Sequence, residues 1–274
     1  MNELSDSPLG KKNEYVDHYD PKLLFAICRN ENRIKTGIDI NKLPFVGIDI
    51  WNGFDFTWLD ENGIPEYGML TIYVPYNSPN LVESKSIKLY LYSFANTKFK
   101  HWTEVVDTIE KDFSVKADAK VTVKLQPILA DFTRLTPGFA GESIDRLATA
   151  CHEYHVNPNL LRCDPTKTVT EQLYSDLLRS NCLVTGKPDW GSVQISYTGP
   201  KIDRVSLLQY IVSYRNHQGF HEPCLERIYM DILNICKPTR LTAIARYTRR
   251  GGLDINPIRS TEEQAWDNIR LFRQ

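Results

Sequence analysis

One order of hydrophobic periods runs through this chain twice, and that repetition limits the folds open to it more than any single motif does. In the first half Phe54, Phe56 and Trp58 alternate with Asp55 and Thr57, the period of two of a half-buried strand. Asp60-Glu61-Asn62-Gly63 supplies a turn, and Leu70, Ile72 and Val74 alternate beyond it, so the pair reads as a hairpin. Ile87, Tyr90, Leu91 and Phe94 then fall on one helical face, as do Trp102, Val105, Val106, Ile109 and Phe113. Val121, Val123 and Leu125 alternate as a returning strand. The order is β-β-α-α-β.

The second half repeats it with different residues. Cys182-Leu183-Val184 leads as a strand into a turn at Lys187-Pro188-Asp189-Trp190-Gly191, and Val193, Ile195 and Tyr197 alternate after it. Val205, Leu208, Ile211 and Val212 mark one helix. Leu225, Ile228, Tyr229, Ile232, Leu233 and Cys236 mark another, with Pro223 suited to its first turn. Leu241, Ala243, Ala245 and Tyr247 close the half as a strand. The pattern implies an internal duplication of an α+β unit, with helices on one face of an antiparallel sheet. The expected divisions are an irregular N-terminal arm over 1–40, a first module over 41–130, a connector over 131–178 and a second module over 179–274. The connector carries turn signals at Pro137-Gly138 and Asp164-Pro165.

Composition narrows the function classes. With 33 Lys+Arg against 34 Asp+Glu in 274 residues, the formal charge of -1 gives no global attraction to nucleic acid or to anionic membranes. Apolar runs such as Leu23 to Cys28 are too short to span a bilayer, and Met1 to Lys12 lacks the apolar core of a signal peptide. A cytoplasmic protein is expected. The six scattered cysteines include no C-x-x-C pair. Cys151-His152, His155 and Cys163 are the nearest approach to a zinc set, but their irregular spacing argues for a polar loop. Cys224 and Cys236 lie on one apolar stripe and are expected to be buried thiols.

Four clusters could carry chemistry. In the run Ser180 to Ser192, a hairpin could bring the Cys182 thiol and the Asp189 carboxyl together as nucleophile and proton donor. On spacing alone, a buried strand cysteine and a turn-forming aspartate explain the pair better. Phe220-His221-Glu222 and Val82-Glu83-Ser84-Lys85 each precede a helix, whose dipole alone would favour the glutamate. Arg246, Arg249, Arg250, Gly251 and Gly252 could surround a phosphate, or simply end a charged strand in a turn.

Taken together, Glu83-Ser84-Lys85-Ser86-Ile87-Lys88-Leu89-Tyr90, the run Ser180 to Ser192, Phe220-His221-Glu222 and Arg246 to Asp254 resemble the NADPH-dependent nitrile reductases of queuosine biosynthesis, the QueF family, in its long two-module subclass. The matches follow the family's order from about residue 40 onward. The resemblance implies tandem tunnelling-fold modules. It also implies reduction of the nitrile of 7-cyano-7-deazaguanine to 7-aminomethyl-7-deazaguanine, with two NADPH consumed and no metal. By the same resemblance Cys182 attacks the nitrile carbon to form a covalent thioimide, and Asp189 supplies a proton. Val82, Glu83, Ser84, His221 and Glu222 hold the base, and Ser84, Lys85, Arg250 and Gly251 contact NADPH. A carboxylate suits a guanine-like edge, which presents a ring N–H and an exocyclic amine side by side. Since Glu83 and Cys182 lie in different halves, a working site is expected to combine both, and to close over a hydrolysable imine. A homodimer is expected, without direct nucleic-acid or membrane partners. Two other classes stay open on the residues: a zinc hydrolase of the same fold, and a base-binding module without turnover.

Overall fold

The computed structural model describes residues 16–127, 135–136, 138–183 and 185–274. Residues 1–15 of the expected arm, residues 128–134 and Pro137 near or within the expected connector, and Val184 lie outside these. The chain divides into two compact units. The first draws its described residues from 1–35, 49–132 and 249–254, the second from 36–48, 133–248 and 255–274. Each unit thus takes a segment from the other half of the sequence, which the expected serial division did not foresee. Strand pairing explains the exchange. In the first unit the Phe54 N–H donates to Gly252 O at 3.0 Å. In the second, Gly47 lies so close to Ile258 O that a Cβ would collide with it, and the Tyr229 hydroxyl donates to Pro44 O at 3.2 Å.

The elements lying wholly or mostly in the first unit run β1 (Ala26–Cys28), α1 (Arg29–Lys35), β2 (Val46–Leu59), β3 (Pro65–Pro75), β4 (Asn80–Val82), α2 (Ser84–Tyr92), α3 (Trp102–Ala117) and β5 (Thr122–Pro127). β3 lies between β2 and β5 and pairs antiparallel with β5, while β1 pairs antiparallel with β4. The expected hairpin and both helical faces are present. Phe56, Leu70, Ile72, Tyr90, Ile109 and Phe113 are buried, and Phe94 meets Phe56, Tyr90 and Phe99 at ring separations of 5.4, 5.2 and 5.5 Å. Trp102 departs from the expectation; it opens α3 and is 43% exposed. The arm is not irregular throughout, since β1 and α1 fall within it. No apolar period betrays α1, because it is anchored by a buried arginine: Arg29 donates to Asp49 Oδ2 at 2.7 Å and to Ser78 Oγ at 3.1 Å.

Wholly or mostly in the second unit lie β6 (Leu135–Thr136), β7 (Glu142–Ser143), β8 (Cys163–Asn181), β9 (Pro188–Ile202), α4 (Arg204–Val212), α5 (His221–Cys236), β10 (Arg240–Tyr247), β11 (Leu253–Ser260) and β12 (Arg270–Leu271). β8, β9, β10 and β11 follow one another in antiparallel pairing, and β7 adds to β8 in parallel. β8 corrects the expected connector, because a nineteen-residue strand occupies its last third. Register shifts between Asp164 and Thr168 and between Ser175 and Leu178 break its alternation, which hides it from a period-of-two reading. The expected turn at Lys187–Gly191 is also displaced. The turn falls among the described residues 182–183 and 185–187, and Pro188 to Gly191 already belong to β9.

The duplication extends into contacts that periodicity does not report. In the first unit Asp20 caps a 3₁₀ turn at Pro21–Leu23, and its N–H donates to Ser93 Oγ. Asn157 does the same for Pro158–Leu160 and Ser213 Oγ in the second. Phe25 N–H donates to Ser86 Oγ at 3.1 Å, as Arg162 N–H does to Ser206 Oγ at 3.1 Å. Tyr90 donates to Asp112, and Tyr210 to Asp231, both at 2.7 Å. The helix pairs have 9 and 16 residues in both units, and the longer helix ends each time in a left-handed residue, Asp118 or Lys237. The parts read as arm and connector therefore contain equivalent pieces of the repeat.

Candidate functional site

The second unit holds one group of the expected residues. β8 ends at Asn181, so Cys182 opens the hairpin loop rather than a strand. Its N–H donates to Lys187 O at 2.8 Å and its carbonyl accepts from Gly186 N–H at 3.0 Å, with Gly186 at φ +64°. That left-handed residue is what lets the loop close. Across the hairpin Ser180 stands opposite Asp189. Asp189 is thus a strand residue, 4% exposed, and not the turn former expected. Alternation along β9 turns Trp190 the other way, where Arg179 and Arg215 lie 5.3 and 5.9 Å over its ring.

His221 and Glu222 open α5, where the helix dipole favours a carboxylate, and Glu222 is only 1% exposed. His221 Nε2 lies 3.9 Å from Asp189 Oδ2. The imidazole also packs edge-on against Tyr247, with centroids 4.1 Å apart at 85°. The fold therefore brings His221 to Asp189, with Glu222 next along α5, and sets Cys182 two residues beyond Ser180, the strand partner of Asp189.

Two further residues organise this group without having been singled out. Asn181 donates its N–H to His217 O at 2.7 Å and accepts from Gly219 N–H at 3.2 Å; its side chain bridges Arg179 and the Arg215 carbonyl. The residue preceding Cys182 is so tied to the segment leading into His221. Tyr247, read only as a strand residue, is buried against Cys224 and Ser180. A buried tyrosine at the end of an apolar alternation needs a polar partner, and that was the available signal. Burial pushes the Cys224 thiol up to about 12 and the His217 imidazole down to about 4, so both are neutral near pH 7.

The first unit holds the other group. Val82 ends β4 and is buried, and Glu83 is the N-cap of α2. The Glu83 carboxylate accepts from Lys85 N–H at 2.7 Å, Ser86 N–H at 2.8 Å and Ser84 Oγ at 3.3 Å. Fully buried, its carboxyl is raised above the usual range, chiefly by loss of solvent and against the pull of those donors. Arg250, Gly251, Gly252 and Leu253 form a turn closed by reciprocal backbone bonds of 2.9 and 3.4 Å. Gly251 and Gly252 are left-handed at φ +57° and +73°, and a Cβ on Gly252 would strike the Asp55 carboxylate. Lys88, one turn along α2, runs beside Gly251, and the Tyr92 hydroxyl donates to Gly251 O at 3.4 Å. Lys85, Lys88, Arg249 and Arg250 thus belong to one unit. Arg246 does not join them, because it is buried in the second unit and donates to Asp267 O at 2.7 Å.

His152 and His155 are exposed, and among the described residues no group of three or more His, Cys, Asp or Glu side chains is placed to hold a metal ion. No helix among them is long and apolar enough to cross a membrane.

Comparison with known proteins gives these two groups a family. Residues 15–125 match the family model described as "Nitrile reductase, 7-cyano-7-deazaguanine-reductase N-term". Residues 188–266 match the one described as "QueF-like protein". A protein of Chromobacterium violaceum named NADPH-dependent 7-cyano-7-deazaguanine reductase is 50% identical over 269 residues, 98% of this chain and 96% of its own. Proteins of the same name from Paraburkholderia phytofirmans and Burkholderia ambifaria are 51% and 52% identical over 271 residues, 98% of each chain. With such identity along nearly all of both chains, this protein belongs to the family of NADPH-dependent 7-cyano-7-deazaguanine reductases.

Proposed function

We propose that the protein reduces the nitrile of 7-cyano-7-deazaguanine to the aminomethyl group through a covalent thioimide on Cys182. The observation that carries the reading is the approach of His221, at the head of α5, to the buried Asp189 beside the Cys182 loop, with the buried Glu222 next along the same helix. A nitrile carbon is electrophilic. The Cys182 thiolate adds to it, one C–N π bond opens, and Asp189 gives its proton to the nitrogen, leaving a thioimide. NADPH, when bound, supplies the hydride for each of two reductions. Cys182 leaves as thiolate when the thioimide collapses to the imine, which restores the nucleophile. In this reading His221, 3.9 Å from Asp189, returns through one water the proton that Asp189 spends.

Base recognition falls to the glutamates. Glu222, buried at the head of α5, offers two acceptors to the ring N–H and exocyclic amine of the pyrimidinone edge. Glu83 already caps α2 with both oxygens, one of them taken by Lys85 N–H and Ser84 Oγ, so its contact with the base uses the lone pair left on the oxygen that accepts from Ser86 N–H. Val82, Ser84 and His221 complete the substrate contacts.

The residues of the first unit suit NADPH. A cofactor with three phosphates needs cations and backbone N–H groups. Ser84 and Lys85 sit at the helix N-terminus, while Lys88, Arg250 and the Gly251 turn lie along the same element and its neighbour. Tunnelling-fold modules, a cytoplasmic homodimer and a place in queuosine biosynthesis complete the proposal, supported by the duplicated α+β unit and by family membership. Stoichiometry tests the reaction. NADPH oxidation with 7-cyano-7-deazaguanine should consume two cofactors per aminomethyl product identified by mass spectrometry. Binding of the base without NADPH oxidation would sink the reading and leave a binding module.

A further inference from the structure

The arginine turn of the first unit carries one cation that the substrate and cofactor assignments leave unused. The Arg249 guanidinium carbon lies 4.5 Å over the ring of Phe54. Arg249 is exposed, and among the described residues it makes no ion pair. Its charge is therefore not neutralised within the fold. The aromatic beneath it is held in register by the Phe54 N–H bond to Gly252 O, so the platform and the glycine turn move as one piece. Asp55, the nearest acid in sequence, points away along the alternating strand and lies against Gly252 instead.

A planar guanidinium with one face on an aromatic ring has its other face and its N–H edges open. That combination accepts a purine by stacking and a phosphate dianion by paired hydrogen bonds. NADPH presents both groups together, as adenine and the ribose 2′-phosphate, and NADH lacks the phosphate. We propose that Arg249, held over Phe54, stacks on the adenine and reads the 2′-phosphate of NADPH, and so sets the preference for NADPH over NADH. The proposal rests on the placement of NADPH at Ser84, Lys85, Arg250 and Gly251. It divides the labour there: the α2 terminus and Arg250 serve the pyrophosphate, and Arg249 serves the 2′-phosphate. Phe54 is a positioning residue, acting only through Arg249.

Calorimetric binding of adenosine 2′,5′-bisphosphate, with adenosine 5′-monophosphate as the comparator lacking the 2′-phosphate, tests this without turnover. Arg249→Ala should weaken the bisphosphate about tenfold or more, the scale of a lost charge-assisted contact, and change the monophosphate far less. Arg249→Lys, which keeps the charge but not the plane, should recover only part of the loss, and Phe54→Leu should weaken the bisphosphate by a smaller factor. Both side chains reach the surface, and unchanged melting of the variants would confirm that they fold. If Arg250→Ala weakens both ligands while Arg249→Ala leaves the bisphosphate unchanged, the platform is refuted and the cofactor placement stands. If no variant affects either ligand, the placement itself is wrong.

Discussion

At the scale of single residues, chemistry here depends on burial as much as on identity. Asp189 and Glu222 are almost wholly removed from solvent, yet they would do different work. Asp189 acts on the reacting nitrogen, so Asp189→Asn should lower turnover about 100-fold or more while nitrile affinity, measured by calorimetry, changes little. A parallel loss of affinity would make Asp189 a binding group instead. Glu222 acts on the ground-state base, so Glu222→Leu should weaken base binding by about 1–3 kcal/mol, because the donors on the base lose their acceptors. Unchanged affinity would remove Glu222 as the anchor. The identities of Cys182, Asp189, His221 and Glu222 were legible as a resemblance, and a hairpin joining Cys182 to Asp189 was legible as one reading of the spacing, but the approach of His221 to Asp189 was not. Spacing alone made Asp189 a turn former, and only the Ser180–Asp189 register shows it as a buried strand residue. Asn181 and Tyr247 escaped notice because their work is backbone anchoring and edge packing, neither of which has a spacing.

Among the elements, what could be read from sequence divides along a physical line. Elements stabilised by an apolar stripe, such as β3, α3 and α5, were visible as periods of two or 3.6. Elements stabilised by polar anchoring were not. α1 depends on Arg29 and Asp49, the two 3₁₀ turns depend on Asp20 and Asn157, and β8 changes register twice. Glycine positions show the same dependence on context. At Gly186 in the Cys182 loop a methyl group would meet nothing within 4 Å, so only the left-handed φ of +64° resists substitution. Gly199, at φ +156°, would place a Cβ 2.6 Å from the Pro238 Cα. Gly186→Ala should cost roughly 1–2 kcal/mol in chemical denaturation, and Gly199→Ala distinctly more, because backbone must move to relieve it. Equal losses would mean that backbone conformation alone sets the cost at both sites.

For the whole molecule, the duplicated unit was legible in outline and the exchange of segments between units was not, since no local pattern reports which strand a distant segment joins. The repeat also makes stability depend on pH in a defined direction. Burial raises the Asp231 carboxyl, the acceptor of Tyr210, above its ordinary range. A raised carboxyl binds its proton more tightly in the folded chain, so its contribution is complete below the unfolded pKa and is lost as pH rises through the folded one. Asp231→Asn carries no such titration. Between about pH 4 and about pH 7 its stability relative to the unaltered protein should therefore improve, as followed by urea denaturation. A relative decline over that interval would show that the ionised carboxylate is the favoured form. Function at this scale rests on one bond. Intact-protein mass spectrometry after mixing with 7-cyano-7-deazaguanine, without NADPH and beside a Cys182→Ala control, should show the mass of one nitrile added to the unaltered protein alone, and NADPH should discharge it. A protein that binds the nitrile but gains no mass, or a Cys182→Ala variant that still forms the adduct, would contradict the Cys182 thioimide.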